Sequence, residues 1–186
     1  MGKLVVSQFV TVDGVMEDPG GSESFKHGGW SFEISSGDDG TQFKVDETMG
    51  SDAMLLGRVT YEGFAEAWPG RDGEFADRFN AMPKYVVSST LRDPEWTNTT
   101  VLDGDLPSAV AAIHDRHEGD VVVHGSARLV QGLLDADLVD EMRLMVYPVV
   151  LGGGKRLFGE TSDKKPLRLT DSKIVGDGVA ILVYGR

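Results

Sequence analysis

The sequence predicts an α/β fold built on a mostly parallel sheet. Three observations support this prediction. Short β-branched runs alternate with segments of helical periodicity up to about residue 134, and strands dominate after that point. A hairpin pattern with its turn near residues 176–178 closes the chain. Such alternation is typical of strand–helix–strand units with parallel strands, whereas the closing hairpin predicts an antiparallel edge.

The first half of the chain predicts three strands and three helices around one long polar segment. The β-branched and apolar runs predict strands at 3–12, 52–57 and 84–89, and apolar spacing predicts helices at 41–51, 58–68 and 73–80. In the helix at 58–68, Val59, Phe64 and Trp68 give the spacing, and Pro69-Gly70 ends it. Residues 13–40 are rich in turn signals, and a loop of this length in a compact domain is often functional.

The second half predicts further strands and two clear helices. A short strand at 100–102 precedes a helix that Asp105 caps, with Pro107 in its first turn and Gly119 after its end. DVVVH at 120–124 predicts a strand, and ARLVQGLL at 127–134 predicts the next helix. A long strand follows at 141–150, where Pro148 implies an edge position or a bulge because proline cannot donate to the ladder.

Composition limits the class of protein. The 186 residues, 40% hydrophobic and 26% charged, suit a soluble globular protein, and we expect a single domain over residues 1–186. The chain has no cysteine, which excludes disulfides and a catalytic thiol. A formal net charge of −12 argues against nucleic acid or an anionic membrane surface as partner. We see no signal peptide and no membrane-length apolar run, so we expect a cytoplasmic protein.

Aromatic side chains and one acidic residue stand out in the long polar segment. Phe25, Trp30 and Phe32 either pin the segment to the body of the protein or wall a pocket, and the two interpretations are compatible. Asp13 closes the first predicted strand and is our first candidate for a proton donor to a substrate. The alternative is that Asp13-Gly14 simply makes a turn.

Three predicted strand ends carry residues suited to an anionic ligand: Gly57-Arg58-Val59-Thr60, Ser88-Ser89 and Gly125-Ser126-Ala127. Ligands of open α/β sheets bind beyond the carboxyl ends of parallel strands, so all three stretches would face one edge. Helix N-termini offer unpaired backbone N–H groups, small residues let an anion approach them, and Arg58 adds a fork of donors. Two helix N-termini on one edge suit the separated phosphates of a dinucleotide.

Competing motifs fail on their spacing. Gly125-Ser126-Ala127 is not a nucleophile elbow, because residues 124 and 128 are not the glycines it needs. A hydrolase using Ser126 and His124 lacks an evident orienting acid. His114 and His117 lie one turn apart, but we interpret them as residues near a helix C-terminus and predict no metal site.

At these residues the chain resembles the dihydrofolate reductase-like superfamily, most closely stand-alone proteins related to the reductase domain of the riboflavin-pathway deaminase-reductase. The matching stretches are VTVDG, LLGRVTYE, KYVVSS, VVVHGSARLVQGLL and DEMRLMVYPVVLGGGKRLF, within residues 4 to about 158. The resemblance implies a three-layer α/β/α fold with a mixed eight-stranded sheet. It also implies NADPH as hydride donor to a small-molecule substrate.

The resemblance assigns cofactor contacts as well. Gly57, Arg58 and Thr60 would lie at the cofactor phosphates, and Ser88 and Ser89 at the adenosine ribose phosphate. The turn and helix start at the pyrophosphate would be formed by Gly125, Ser126, Ala127, Arg128 and Leu129.

The substrate end departs from the superfamily pattern. Dihydrofolate reductases carry an acidic residue on the helix before the strand that ends in Gly-Arg, and here that position falls near Thr41. Dihydrofolate is therefore not the predicted substrate. Trp30, Thr41 and Tyr147 are our candidates for the substrate pocket, although a tyrosine on a strand is more often part of the core.

The sequence thus predicts an NADPH-dependent reductase of an unidentified small molecule, such as a pterin- or pyrimidine-like heterocycle. One alternative is a nucleotide-binding module of the same fold without catalytic activity. Another is a reductase of a 5-amino-6-ribosylaminouracil phosphate-type substrate. Because the strand at 141–150 offers an apolar face or edge to a second copy, a homodimer is a further expectation.

Overall fold

An eight-stranded sheet forms the centre of the molecule. The computed structural model describes residues 2–160 and 163–186. The strands are β1 (Leu4–Thr11), β2 (Ser51–Gly57), β3 (Lys84–Val87), β4 (Thr99–Leu102), β5 (Asp120–His124), β6 (Glu141–Tyr147), β7 (Arg168–Val175) and β8 (Val179–Gly185). The helices are α1 (Trp30–Glu33), α2 (Gly37–Gly50), α3 (Arg58–Ala67), α4 (Glu74–Ala81), α5 (Leu106–His114) and α6 (Ala127–Asp135).

The strand order is β4-β3-β2-β5-β1-β6-β8-β7. Strands β4 to β6 in that order run parallel to one another, and β8 is antiparallel to both of its neighbours. The mixed, mostly parallel sheet with an antiparallel C-terminal hairpin is therefore confirmed. Asp105 caps α5 as expected, since its carboxylate accepts a hydrogen bond from the Ser108 backbone N–H at 3.0 Å.

Helices cover both faces of the sheet, because alternate residues of each strand point to opposite sides. One face packs on α5 and α6, in a core that contains Val6, Ile113 and Leu133. The other face packs on α3 and α4 through a cluster that includes Met54 and Phe79. On this second face, a further apolar cluster at the β6–β8 end includes residues from α1, α2, β7 and β8. The predicted three layers are confirmed.

The strand predicted at 141–150 is shorter than expected and lies inside the sheet instead of at its edge. Strand β6 ends at Tyr147, and its backbone pairs with β1 on one side and β8 on the other. Pro148 therefore marks neither an edge nor a bulge; it follows the strand, where the missing N–H costs no ladder bond. The expectation that this strand offers a free edge to a second copy is wrong, because the sheet edges are β4 and β7.

Two helices differ from their sequence predictions. Helix α2 begins at Gly37, ahead of the predicted start at residue 41, and its buried residues include the polar Glu47 and Thr48. In α3, Val59 is 58% exposed, and Tyr61 is the buried residue. In α3 the spacing failed only at Val59, since Phe64 and Trp68 pack against the cluster that includes Phe79. In α2, tertiary contacts buried polar residues instead.

The long segment at 13–40 is pinned to the body of the protein. The Trp30 indole is 1% exposed, and its Nε1 donates to the Glu17 carbonyl at 2.8 Å. The buried Asp18 carboxylate accepts backbone N–H bonds from Ser22 at 2.7 Å and Phe25 at 3.3 Å. The segment therefore has a fixed path beside the carboxyl end of β1.

Candidate functional site

Two strand-to-helix turns meet at the carboxyl edge of the parallel sheet. Strands β2 and β5 are paired neighbours, so Gly57 and the residues after His124 lie side by side. The Ser126 hydroxyl accepts a hydrogen bond from the Gly57 backbone N–H at 2.9 Å and donates to the His124 carbonyl at 3.1 Å. One side chain thus fastens the N-termini of α3 and α6 beside each other.

The conformation of the second turn explains its small residues. Gly125 and Ser126 have φ angles of 55° and 61°, in the left-handed region. A Cβ atom on Gly125 would lie 2.8 Å from Thr60 Cγ2, closer than side chains can pack. Thr60 stands in the first turn of α3, so glycine is needed for both the backbone angle and the close approach of the two helix starts.

The other residues of the α6 start are placed differently. The Arg128 side chain is exposed at the surface, and Ala127 is half-buried. Leu129 is buried in the core cluster beneath α6. The Ser126 hydroxyl is engaged with backbone groups, and the His124 imidazole lies 5.8 Å from the Phe79 ring, so the two side chains do not form a nucleophile–base pair.

A groove of about 390 Å³ opens where β3 and β4 end. Its lining combines the predicted Arg58, Ser88 and Ser89 with the last residues of β3 and β4 and the residues that follow them, namely Val87, Thr90, Leu102, Asp103 and Gly104. The Arg58 guanidinium pairs with Glu62 through Nη1 alone, which donates to both carboxylate oxygens at 2.9 and 3.1 Å. Both groups are exposed, so the pair is weak and Arg58 can exchange Glu62 for another anion.

Asp13 holds a loop in place. Its carboxylate accepts the Thr11 hydroxyl at 2.6 Å and the backbone N–H groups of Leu151 at 3.3 Å and Gly152 at 2.8 Å. The Thr11 hydrogen bond, with the backbone N–H bonds, lowers the pKa of the carboxyl below its ordinary value. A carboxylate stabilised in this way is a poor proton donor at neutral pH, and its contacts favour loop anchoring over acid catalysis.

The three predicted pocket residues lie at different depths. Trp30 and Tyr147 are buried with ring centroids 5.3 Å apart, and Phe9 lies 5.5 Å from Tyr147. Burial raises the pKa of the Tyr147 phenol, with a hydrogen bond to Ser36 opposing it. Thr41 is exposed on α2, and its hydroxyl donates to the Gly37 carbonyl at 3.1 Å.

A cluster of charged and polar side chains beneath α2 was missed by sequence reasoning. Lys44 Nζ donates to the Ser7 hydroxyl at 2.7 Å and to a carboxylate oxygen of Glu47, whose side chain is 1% exposed. Arg143 of β6 approaches the other Glu47 oxygen at 3.6 Å. Burial pushes the pKa of the Glu47 carboxyl upward, but the Lys44 and His124 charges and the hydrogen bonds from Lys44 and Ser7 together outweigh it, and the pKa lies below its ordinary value.

His124 completes this cluster, which we call the Lys44 cluster: Ser7, Lys44, Glu47, His124 and Arg143. Burial, together with the Lys44 charge, lowers the pKa of the His124 imidazole to about 4, so the ring is neutral at pH 7. Its Nε2 and the Glu47 Oε2 are buried and have no hydrogen-bond partner among residues 2–160 and 163–186. Buried polar atoms without partners are rare and commonly mark functional positions.

A sequence signal for the cluster did exist. The predicted helix at 41–51 lacks a clean apolar stripe, and Lys44 and Glu47 are spaced to lie on one face of it. What the sequence could not show is that β1 pairs with β5 so that Ser7 stands opposite His124.

Comparison with solved structures shows the same fold in reductase-like proteins. A putative riboflavin biosynthesis protein from Shewanella sp. PV-4 superposes with a TM-score of 0.82, at 22% identity, over 99% of this chain and 98% of its own. A pyrimidine reductase-like protein from Corynebacterium diphtheriae gives 0.69 at 14% identity, covering 99% of this chain and 91% of its own. Acinetobacter baumannii RibD gives 0.68 at 16% identity, covering 100% of this chain but 58% of the RibD chain.

Sequence comparison identifies the family. The profile of the RibD C-terminal domain matches residues 2–183, and the chain belongs to that family. Two uncharacterized Bacillus subtilis (strain 168) proteins align over nearly their full lengths. YyaP is 24% identical over 98% of this chain and 94% of its own, and YwjB is 26% identical over 96% and 95%. The resemblance to the riboflavin-pathway reductase domain is thereby confirmed.

Proposed function

We propose that this protein is an NADPH-dependent reductase of a small heterocycle of the pyrimidine type. The observation that carries the proposal is the paired turn at Gly57 and Ser126, which sets two helix N-termini side by side at the carboxyl edge of the sheet. Membership of the RibD C-terminal domain family and the likeness to a pyrimidine reductase-like protein support the reaction class.

The residues at this edge fit a dinucleotide phosphate. The backbone N–H groups at the starts of α3 and α6 suit the pyrophosphate, and the contacts of Gly57 with Ser126 and of Gly125 with Thr60 hold the two helix starts close together. Ala127, Arg128 and Leu129 would contribute from the first turn of α6. The cofactor, once bound, supplies a hydride; the protein residues bind it, orient it and exclude water.

The groove at β3 and β4 suits the phosphate on the adenosine ribose. Ser88 and Ser89 offer hydroxyl donors, and Arg58 offers a planar fork that matches phosphate geometry. Asp103 lies in the same groove and opposes an anion there, so the preference for NADPH over NADH depends on Arg58 outweighing that charge.

A titration with NADPH and, separately, with NADH tests the proposal. We expect NADPH to raise the melting temperature more than NADH does, because the groove would hold the phosphate that NADH lacks. A ligand at 100 times its dissociation constant adds about 2.7 kcal/mol of stability. Arg58→Met should weaken NADPH binding and leave NADH binding unchanged. Arg71→Met is the matched control, since Arg71 stacks on Trp68 outside the groove. No response to either dinucleotide rejects the reductase proposal.

Turnover distinguishes the catalytic proposal from a nucleotide-binding module of the same fold. Oxidation of NADPH in the presence of a panel of oxidised pyrimidines and pterins is followed at the absorbance of the reduced nicotinamide. Acceptance of a 5-amino-6-ribosylaminouracil phosphate would assign the riboflavin-type substrate. Tight NADPH binding with no turnover of any acceptor would favour the module.

The cellular setting is part of the same proposal. Among residues 2–160 and 163–186, no helix has both the length and the apolar character needed to cross a membrane. We propose a cytoplasmic enzyme that acts on a diffusible small molecule, and the net charge of −12 argues against nucleic acid or an anionic membrane surface as its partner. A homodimer remains a proposal, and sedimentation of the purified protein would test it. Such a dimer would not form through the edges of β6, because β1 and β8 already pair with them.

A further inference from the structure

The Lys44 cluster lies beside the predicted substrate pocket. Lys44 Nζ is 5.7 Å from the centroid of the Phe9 ring, and the same ring lies 5.5 Å from Tyr147. Thr41 precedes Lys44 by three residues on α2, so the two share one side of that helix. His124 immediately precedes Gly125-Ser126, so the cluster also adjoins the proposed dinucleotide turn.

The Lys44 ammonium has hydrogen-bonding capacity left over. It carries three N–H donors, and the residues that the structure describes supply two hydrogen-bond acceptors, the Ser7 hydroxyl and one Glu47 oxygen. Its side chain is 18% exposed, whereas that of Glu47 is 1% exposed. Ser7 and Glu47 therefore hold the Lys44 ammonium on its buried side, and its third N–H donor is left for a ligand on the exposed side.

The ion pairs of the cluster distinguish Lys44 from Arg143. Lys44 pairs with Glu47, and Arg143 approaches the same carboxylate at 3.6 Å. Arg143 also pairs with Glu141 at 2.7 Å and with Asp120 at 3.1 Å. His124 is neutral at pH 7. Among the described residues, Lys44 therefore contacts a single carboxylate, whereas Arg143 contacts three.

We propose, resting on the reductase function above, that Lys44 is a substrate-binding residue that donates a hydrogen bond to a carbonyl or anionic oxygen of the heterocycle. Ser7 and Glu47 are positioning residues that aim its ammonium. The preferred substrates are thus oxo-substituted rings, and rings that present only amino donors at this position are rejected because two sets of donors would face each other.

Binding of two ring probes in the presence of saturating NADP⁺ tests this without turnover. The probes are barbiturate, an anionic oxopyrimidine, and 2,4-diaminopyrimidine, which presents amino groups instead. Tryptophan fluorescence and calorimetry report their affinities. We expect barbiturate to bind the wild-type protein at least about tenfold more tightly than 2,4-diaminopyrimidine, and its affinity to fall with added salt.

Substitutions at position 44 then locate the effect. Lys44→Met should weaken barbiturate binding by about 10- to 100-fold, the size of one lost charge-assisted hydrogen bond, and Lys44→Arg should retain part of the affinity. NADP⁺ affinity should be the same in every variant. Lys173→Met is the control, because that exposed lysine pairs with Asp39 on the outer side of α2.

The outcomes separate the two proposals. Equal or reversed preference for the two probes in the wild-type protein overturns the role of Lys44, and this result does not depend on any variant folding. Unchanged barbiturate affinity in a folded Lys44→Met protein also overturns it. Failure of NADP⁺ and NADPH to bind at all overturns the reductase function instead.

Discussion

The two faces of the sheet meet the same requirement, burial under helices, in different ways. Under α5 and α6 the interior is apolar around Val6, Val123 and Leu133, and the polar Gln8 there donates its amide to the carbonyls of Val123 and Gly125. Under α2 the same strands carry the Lys44 cluster, with buried atoms that lack hydrogen-bond partners among the described residues.

This difference separates what holds the fold from what the fold presents. Apolar burial stabilises by roughly 25 cal/mol per Å² without regard to geometry. Buried charges stabilise little on balance, because desolvation offsets their attraction. The α5/α6 face is therefore expected to dominate stability, and the α2 face to dominate the dependence on pH and ligands.

The largest expected effect falls on the apolar face. Leu133 is fully buried, and Leu133→Ala should lower the free energy of unfolding by about 3 kcal/mol through lost transfer energy and a residual cavity. Urea unfolding measures the loss. The same substitution at Leu169, which is 51% exposed on β7, should change stability by less than about 0.5 kcal/mol. Comparable losses at both sites would contradict the assignment of the core.

The pH dependence of stability sharpens the contrast on the α2 face. Burial, with Lys44 nearby, lowers the pKa of His124 from 6.5 to about 4. The unfolded chain therefore binds more protons between these values, and the free energy of unfolding falls as pH falls from 6.5 to 4, by up to about 3 kcal/mol.

His124→Gln should remove that fall, which unfolding curves at several pH values would show. The control is His27→Gln, since His27 is exposed and its substitution should leave the slope unchanged. Leu133→Ala should shift the whole curve without altering its slope. A wild-type slope retained in His124→Gln would mean that other groups carry it.

The turn from β5 into α6 carries the chain from one face to the other, and it should tolerate little change. Gly125→Ala should cost about 2 kcal/mol, from the left-handed backbone and the clash with Thr60. Gly14→Ala separates the two causes, because Gly14 also has a positive φ of 79° but open space around its Cβ position. Thr60→Ala added to Gly125→Ala should recover part of the loss, as a double-mutant cycle would measure.

The smallest expected effect is at Ser126. Ser126→Ala removes the acceptor of the Gly57 N–H and should cost about 1 kcal/mol. It should also weaken dinucleotide binding, because the two helix starts are no longer tied. Ser89→Ala, at an exposed hydroxyl in the groove, should leave thermal stability unchanged and affect only the binding of NADPH.

The sequence predicted the strands well because β-branched runs such as residues 120–124 are local signals. It misplaced the end of β6, since nothing before Pro148 shows that the strand lies between two partners. Helix α2 was also set too late, because its first turn has no apolar stripe to mark it.

The candidate site also has parts that local sequence predicts and parts that it does not. The small residues at Gly57 and Gly125-Ser126 predict turns from the sequence alone, and the structure joins the two turns by a hydrogen bond. In the Lys44 cluster only the spacing of Lys44 and Glu47 is visible in the sequence, because Ser7, Lys44 and Arg143 come from three separate elements. The position of Asp13 at the end of the first strand suggested a catalytic role from the sequence. Its hydrogen bonds to Leu151 and Gly152 were not visible there, because they form only when distant segments meet.

The contact between Asp13 and Gly152 also affects the order in which parts of the chain can fold during synthesis. Asp13 near the start of the chain is tied to Gly152, and Leu157 donates its N–H to the Gly14 carbonyl at 3.0 Å. Closing so long a loop is slow compared with local helix formation. A nascent chain that ends before Gly152 therefore lacks both contacts, although it already contains β1 to β6.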